Sequence, residues 1–175
     1  MDRIFNKDKI SIEFGDITLS ECDAIVNAAN KSLMGGGGVD GAIHRAAGKG
    51  LLEECRTLGG CKTGQAKLTR GYNLPALYVI HTVGPVYSGK DEDERLLRAC
   101  YSNSLDIAKD NGISSIAFPA ISTGVYGYPA EEAVPIALEA VSGWMEKNKD
   151  CDIKVTFVCF NEKIYELFKE IYYRR

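Results

Sequence analysis

Polar and apolar positions alternate along Lys9-Ile10-Ser11-Ile12-Glu13-Phe14, the period-two pattern of a strand with one buried face, placed near a sheet edge. Elsewhere the alternation disappears. Ala24-Ile25-Val26-Asn27, Leu77-Tyr78-Val79-Ile80-His81-Thr82-Val83, Ser115-Ile116-Ala117-Phe118 and Ile153-Lys154-Val155-Thr156-Phe157-Val158-Cys159 are short, apolar and β-branched, as strands covered on both faces are. Ala66-Lys67-Leu68-Thr69 is a weaker candidate.

Between these runs the period changes to that of a helix. Ala133, Ile136, Ala137, Ala140, Val141 and Trp144 recur at three and four after an acidic first turn, Glu131-Glu132. Pro135 lies early enough to distort that helix's start without breaking it. Leu97, Cys100, Tyr101, Ser104, Leu105 and Ala108 make a second stripe, stopped by Asn111-Gly112. Ile164, Leu167, Phe168 and Ile171 make a third, entered through Asn161 as N-cap. Buried strands alternating with amphipathic helices predict a three-layer α/β/α domain around a central, mostly parallel or mixed sheet. Ligands of such sheets bind beyond the carboxyl ends of the strands.

Composition narrows the picture. With 175 residues against the ~150 of a usual domain, residues 1–175 are expected to form a single domain. A net charge of -3 with both signs scattered disfavours sequence-independent binding to DNA. No apolar run reaches the ~18 residues of a membrane span, and the stretch from Met1 to Asp8 lacks the apolar core of a secretory signal. A cytoplasmic monomer is the expectation. The six cysteines contain no CxxC pair, so they read as reduced, mainly packing residues and not as a zinc site or nucleophile.

Two glycine-bearing loops follow predicted strands. The first runs from Asn27 through Asn30, the four glycines Gly35-Gly36-Gly37-Gly38, Val39, Asp40 and Gly41, then opens a helix at Ala42. Four glycines in a row sacrifice ~2 to 4 kcal/mol, tolerable only where the backbone turns at positive φ or approaches something closely. Gly36, Gly38 and Gly41 satisfy G-x-G-x-x-G, but eight residues separate Asn27 from Gly36, too many for the tight dinucleotide turn. The second loop, Pro119 to Pro129, carries Ser122, Thr123, Gly124, Val125 and Tyr126, hydroxyls and successive amides suited to a diphosphate nest. Ala120-Ile121-Ser122-Thr123-Gly124 is one position from a nucleophile elbow, yet neither His44 nor His81 follows Ser122 as that hydrolase order requires.

These motifs resemble the macrodomain family, specifically its MacroD-type branch of ADP-ribose hydrolases and O-acetyl-ADP-ribose deacetylases. The resemblance runs from Gly15-Asp16-Ile17-Thr18 through Val26-Asn27-Ala28-Ala29-Asn30, Gly35 to His44, Ile80-His81-Thr82-Val83-Gly84-Pro85 and Phe118 to Pro129. It implies ADP-ribose in a cleft, with Asp16 and the Ile17 amide at the adenine and Phe160 packed on it. Ser122, Thr123, Gly124, Val125 and Tyr126 would wrap the diphosphate, Gly38, Val39 and Asp40 with Asn30 would face the distal ribose, and Gly37 belongs to the implied substrate-binding set. Asn27 completes the implied substrate-binding set, and Asp40 and Asn30 match the catalytic positions. No metal or redox cofactor is implied.

By residue type alone, Asp16 and Asn30 read equally as turn residues, Asp40 as an N-cap, Phe160 as a core aromatic, Tyr126 as packing, and His44 and His81 as structural. A carboxylate at a helix N-terminus is expected to have its pKa pulled down, which makes Asp40 a weak base that orients water more than it removes protons. The expected reaction is hydrolysis of ester-linked ADP-ribose, from acidic side chains of mono-ADP-ribosylated proteins or from O-acetyl-ADP-ribose. The alternative is a non-catalytic ADP-ribose reader, since fold alone does not separate the two. A nicotinamide-dependent oxidoreductase has no candidate hydride site.

Overall fold

The computed structural model describes residues 8–174; residues 1–7, on which the absence of a leader was read, and Arg175 lie outside the described residues. In chain order the elements are β1 (Ile10–Phe14), a short 3-10 turn (Ile17–Leu19), β2 (Ala24–Ala28), α1 (Gly38–Ala47), α2 (Lys49–Thr57), β3 (Ala66–Arg70), β4 (Tyr78–Thr82), α3 (Asp91–Asp110), β5 (Ser115–Phe118), α4 (Ala130–Lys147), β6 (Lys154–Cys159) and α5 (Glu162–Tyr173). All six expected strands form, and Asn161 caps α5 by accepting the Ile164 amide at 3.2 Å. α4 passes through Pro135 without stopping.

The strands make one sheet in the order β1-β6-β5-β2-β4-β3, every neighbouring pair parallel except β3 against β4. β1 is an edge strand, as its alternation requires. Side chains of the central strands point to two separate cores. Val26, Ile80, Phe118 and Phe157 pack beneath α3, α4 and α5, whereas Ile25, Val79, Ala117 and Val158 pack beneath α1 and α2. The mixed three-layer α/β/α arrangement is therefore the observed one. Aromatic rings tie the first face together: Phe157 lies 4.9 Å from Phe168 and 6.0 Å from Phe118, and Phe118 lies 5.0 Å from Tyr101, centroid to centroid.

One helix goes beyond the sequence pattern and the start of another is corrected. α2 has no counterpart in the sequence pattern, because only Leu51 and Cys55 of its nine residues are buried, too narrow a stripe to show a period. α1 starts at Gly38, not after Gly41, so Asp40 is the third residue of the helix and Gly37 occupies the cap position. Gly38 turns there at φ 56°, a conformation that side chains disfavour.

The two loops of interest leave adjacent parallel strands. β2 and β5 are hydrogen-bonded neighbours, but the chain leaves β2 for α1 on one face and β5 for α4 on the other. A crevice opens between such diverging connections at the carboxyl edge of the sheet. Phe157 sits at the centre of the aromatic layer behind it. Phe157→Ala is expected to cost about 3–5 kcal/mol in urea unfolding with an unchanged m-value, the signature of a cavity in an otherwise intact core.

Candidate active site

The loop after β2 brings Asn30 and Asp40 to one place. A Cβ built on Gly36 would stand 3.1 Å from Asp40 Oδ2 and 3.4 Å from Asn30 Nδ2, so any side chain at 36 would fill the space these two groups share. Asn30 also organises its own turn: its Oδ1 accepts from Ser32 Oγ at 2.7 Å and the Leu33 amide at 3.1 Å, while Nδ2 donates to the Gly35 carbonyl at 2.9 Å. One Nδ2 hydrogen is left over. The turn reading and the site reading of Asn30 thus coexist.

Asp40 is only 6% exposed. Asn27 Nδ2 donates to its Oδ1 at 2.8 Å, and His44 Nε2, one helical turn on, lies 3.5 Å from the same oxygen. His44 Nε2 is buried and has no hydrogen-bond partner. Burial raises the Asp40 pKa, opposed by the Asn27 hydrogen bond and by His44. The expectation of a lowered pKa is corrected: loss of water around the carboxylate outweighs what favours its charge.

Asn27 is fully buried, so its side chain reaches the cleft only through Asp40. Its Nδ2 also lies 3.2 Å from His81 Nδ1, and His81 Nε2 lies 2.9 Å from Thr69 Oγ1. Thr69 Oγ1 donates onward to the Arg70 carbonyl at 3.1 Å. One protonation pattern satisfies every contact along this line, while the buried Asn27 Oδ1 is left without a hydrogen-bond partner. Asn27 gives one hydrogen to Asp40 and one to a neutral His81, whose Nε2 proton goes to Thr69. Burial, helped by His44, pushes the His81 pKa down to about 3, which keeps the ring neutral. His81 is packed, as its place in a buried strand implies, but it also orients the amide that holds Asp40.

Across the crevice, the loop after β5 has donors to spare. The amides of Ser122, Gly124, Val125 and Tyr126 find no carbonyl or side-chain acceptor among the described residues. The same is true of Gly38, Val39 and Asp40, the first turn of α1, which has no side-chain cap. Such orphan amides favour an anion. The Ser122 side chain does not face the crevice: at φ 68° its buried hydroxyl donates to the Pro85 carbonyl at 2.9 Å. That bond also removes it from any nucleophilic role. Thr123 Oγ1 likewise donates to the Ala120 carbonyl at 2.8 Å, so this loop presents backbone rather than hydroxyls.

At the other end of the crevice, Gly15 N donates to the Cys159 carbonyl at 3.0 Å, which sets Asp16 beside Phe160 at the ends of β1 and β6. Asp16 caps the 3-10 turn through Oδ1, accepting from the Thr18 amide at 2.9 Å and hydroxyl at 2.7 Å. Ile17 buries its side chain, leaving only its backbone for a ligand. Phe160 is 82% exposed, so the core-aromatic reading is replaced by an open ring face. Val125 is fully exposed, and Val39 packs against the α1–α2 core. Beyond Asn30 and Tyr126 lies a depression of about 560 Å³.

The sequence reading placed Asp40 and Asn30 together but did not foresee that Asn27, His81 and Thr69 stand behind them. The signal was faint: polar residues inside runs otherwise buried on both faces. All six cysteines are free thiols, and burial pushes Cys55 and Cys100 up to about 11. Among the described residues no cluster of three or more His, Cys, Asp or Glu could hold a metal, and no helix is long and apolar enough to cross a membrane.

Fold and crevice define an α/β domain whose ligand cleft lies at a topological switch point and is furnished with backbone donors. Residues 26–137 match the family model described as Macro domain. A macro domain-containing protein of Methanosarcina mazei is 59% identical over 159 residues, covering 90% of this chain and 84% of that protein. The ADP-ribose glycohydrolase MACROD2 of Xenopus laevis is 56% identical over 164 residues, 93% of this chain but 39% of that protein. A Trypanosoma brucei macrodomain solved in complex with ADP-ribose superposes with a TM-score of 0.88 at 48% identity, covering 93% of this chain and 68% of the other. The chain belongs to the macro domain family.

The depressed pKa of His81 has a thermodynamic consequence. Between about 6.5 and about 3 the unfolded chain binds a proton at this residue that the folded chain refuses. Stability is therefore expected to fall as pH drops through that window, by up to about 1.4 kcal/mol per pH unit from His81. His81→Gln removes that slope in urea titrations at stepped pH. Asp40, with its raised pKa, acts in the opposite sense: its contribution is present below the ordinary carboxylate range and is lost as pH rises.

Proposed function

We propose that this protein hydrolyses ester-linked ADP-ribose, releasing ADP-ribose from mono-ADP-ribosylated aspartate and glutamate side chains and from O-acetyl-ADP-ribose. The described residues act as one domain, in the cytoplasm and as a monomer. The observation that carries this reading is the convergence of Asp40 Oδ2 and Asn30 Nδ2 beside Gly36, between two loops of unpaired amides. The adjacency of Asp16 and Phe160 supports an adenine at the far end, and the ADP-ribose complex of the trypanosomal macrodomain supports the ligand. The glycohydrolase name of the Xenopus relative supports turnover over mere binding.

In this reading the amides of Gly124, Val125 and Tyr126 hold the diphosphate with dipoles alone, so no lysine or arginine is needed, and those of Gly38 and Val39 face the distal ribose beside it. The adenine amino group donates to Asp16, with the Ile17 amide beside it, and the ring stacks on Phe160. Thr123 and Ser122 shape the diphosphate loop through their internal bonds. Gly37 keeps the approach to the distal ribose open. Asn30 donates its remaining Nδ2 hydrogen to that ribose.

Asp40, held at Oδ1 by Asn27, directs Oδ2 at a water or ribose hydroxyl. Its raised pKa makes it a stronger proton acceptor than an ordinary surface aspartate, because the base strength of a carboxylate follows its pKa. One water is consumed, the ester C–O bond breaks, and ADP-ribose and a free carboxylic acid leave.

Glutamate-linked mono-ADP-ribosylated peptide and O-acetyl-ADP-ribose, assayed beside calorimetric titration with free ADP-ribose, separate the readings. Release of ADP-ribose from both esters is the expected result; tight binding without release assigns a non-catalytic reader. Asp40→Asn is expected to lower turnover by at least ~10²-fold with little change in ADP-ribose affinity, the loss that removal of a positioned base produces. Unaltered turnover would remove Asp40 from the mechanism.

A further inference from the structure

The depression beyond the crevice shares two walls with the proposed ribose end, Asn30 and Tyr126, and then continues away from the nucleotide. Its far side is apolar, built from Pro85, Val86 and Leu96, and its rim carries Lys31. The Tyr87 amide donates to the Tyr126 carbonyl at 2.8 Å, which fastens this wall to the diphosphate loop. We propose that the depression is the leaving-group subsite, where the peptide bearing the esterified aspartate or glutamate lies against Val86 and Leu96 with an acidic neighbour facing Lys31. The assignment rests on the hydrolase reading of the adjoining crevice.

Size argues for a peptide over an acetyl group. Taking ~30 Å³ for each heavy atom, the share of one liquid water, an acetyl moiety fills on the order of 100 Å³. The depression measures about 560 Å³, within the range that takes drug-sized ligands. An acetyl ester would leave most of it to solvent; a few residues of extended chain would occupy it. Val86 is 63% exposed, an apolar surface with nothing over it among the described residues.

Charge selects the kind of peptide. The Lys31 side chain is exposed and its ammonium makes no ion pair with any described residue. Asp93, which also lines the depression, makes no ion pair with Lys31 and has its own donors: it accepts from the Ser88 amide at 2.7 Å, the Ser88 hydroxyl at 2.9 Å and the Gly89 amide at 2.9 Å. Those bonds fold residues 88 and 89 onto the start of α3 and favour the ionised carboxylate, whose charge repels a substrate carboxylate from that wall, whereas the Lys31 ammonium attracts it. Asp91, Glu92 and Glu94 stand on the same helix turn, but none of them lines the depression. A substrate carboxylate therefore meets its partner on the Lys31 side.

The test compares two esters that share the nucleotide and differ in what leaves. Lys31→Glu and, separately, Val86→Asp are assayed with a glutamate-linked mono-ADP-ribosylated peptide that has acidic flanking residues, and with O-acetyl-ADP-ribose. Both substitutions are at exposed positions, and thermal melts check that each variant folds. Lys31→Glu is expected to lower kcat/KM for the peptide roughly five- to tenfold through KM, as when a surface ion pair becomes a repulsion. The loss should shrink in high salt, while turnover of O-acetyl-ADP-ribose and the Kd for ADP-ribose stay unchanged. Val86→Asp should act on the peptide alone in the same way. Equal losses on both esters, or no loss on either, overturn the subsite and leave the hydrolase reading standing. Wild-type protein that cleaves O-acetyl-ADP-ribose but not the peptide does the same, and release from neither ester overturns both readings.

Discussion

A nearly buried carboxylate at the first turn of α1 is the constraint around which this protein is arranged. Asp40 has lost most of its water, and no cation is hydrogen-bonded to it. A buried charge in that position needs donors whose own alternatives are closed off. Asn27 supplies one, and it is prevented from turning because its second hydrogen faces a histidine that burial keeps neutral. The line continues through Thr69 to a backbone carbonyl, so three neighbouring strands, β2, β4 and β3, cooperate to fix one oxygen of one side chain. The other oxygen, Oδ2, accepts no hydrogen bond from the described residues.

The same placement accounts for the glycines. Asp40 and Asn30 leave a gap beside Gly36 that a side chain would close, and Gly38 adopts a turn that admits α1 directly behind the loop. On the opposite wall Gly84 has a comparable duty, since a Cβ there would collide with Ser122 Oγ. The serine is held at positive φ by its bond to Pro85, and the loop it begins turns its amides, not its hydroxyls, to the crevice. Backbone donors suit an anionic ligand in a protein of net charge -3, because they recognise phosphate geometry without a basic patch that would also attract unrelated polyanions.

Division of labour along the crevice follows from the sheet. Strand ends β1 and β6 present Asp16 and the open ring of Phe160; β5 and β2 present the two amide-lined loops; β4 leads to the apolar wall of the adjoining depression. Successive parallel strands thus deliver successive parts of one elongated site. The topological reversal between β2 and β5 is what parts the loops enough to admit a ligand.

Local pattern in the chain determined the six strands, the stripes of α3, α4 and α5, the cap at Asn161, and the two loops in which Asn30, Asp40 and Ser122 to Tyr126 lie. These features depend on residues within a few positions of one another, so periodicity and turn chemistry reveal them. Only the tertiary structure decided what surrounds Asp40. Its partner Asn27 is 13 positions away, His81 is 54 positions from Asn27, and Thr69 is 12 from His81, contacts created by strand register. The amides beside Asp40 at the start of α1 are visible in the sequence, whereas the burial that raises its pKa arises only when α1 closes over the sheet. The exposure of Phe160 and the direction of the Ser122 hydroxyl were hidden for the same reason, since chain order says nothing about which distant segment will cover a given side chain.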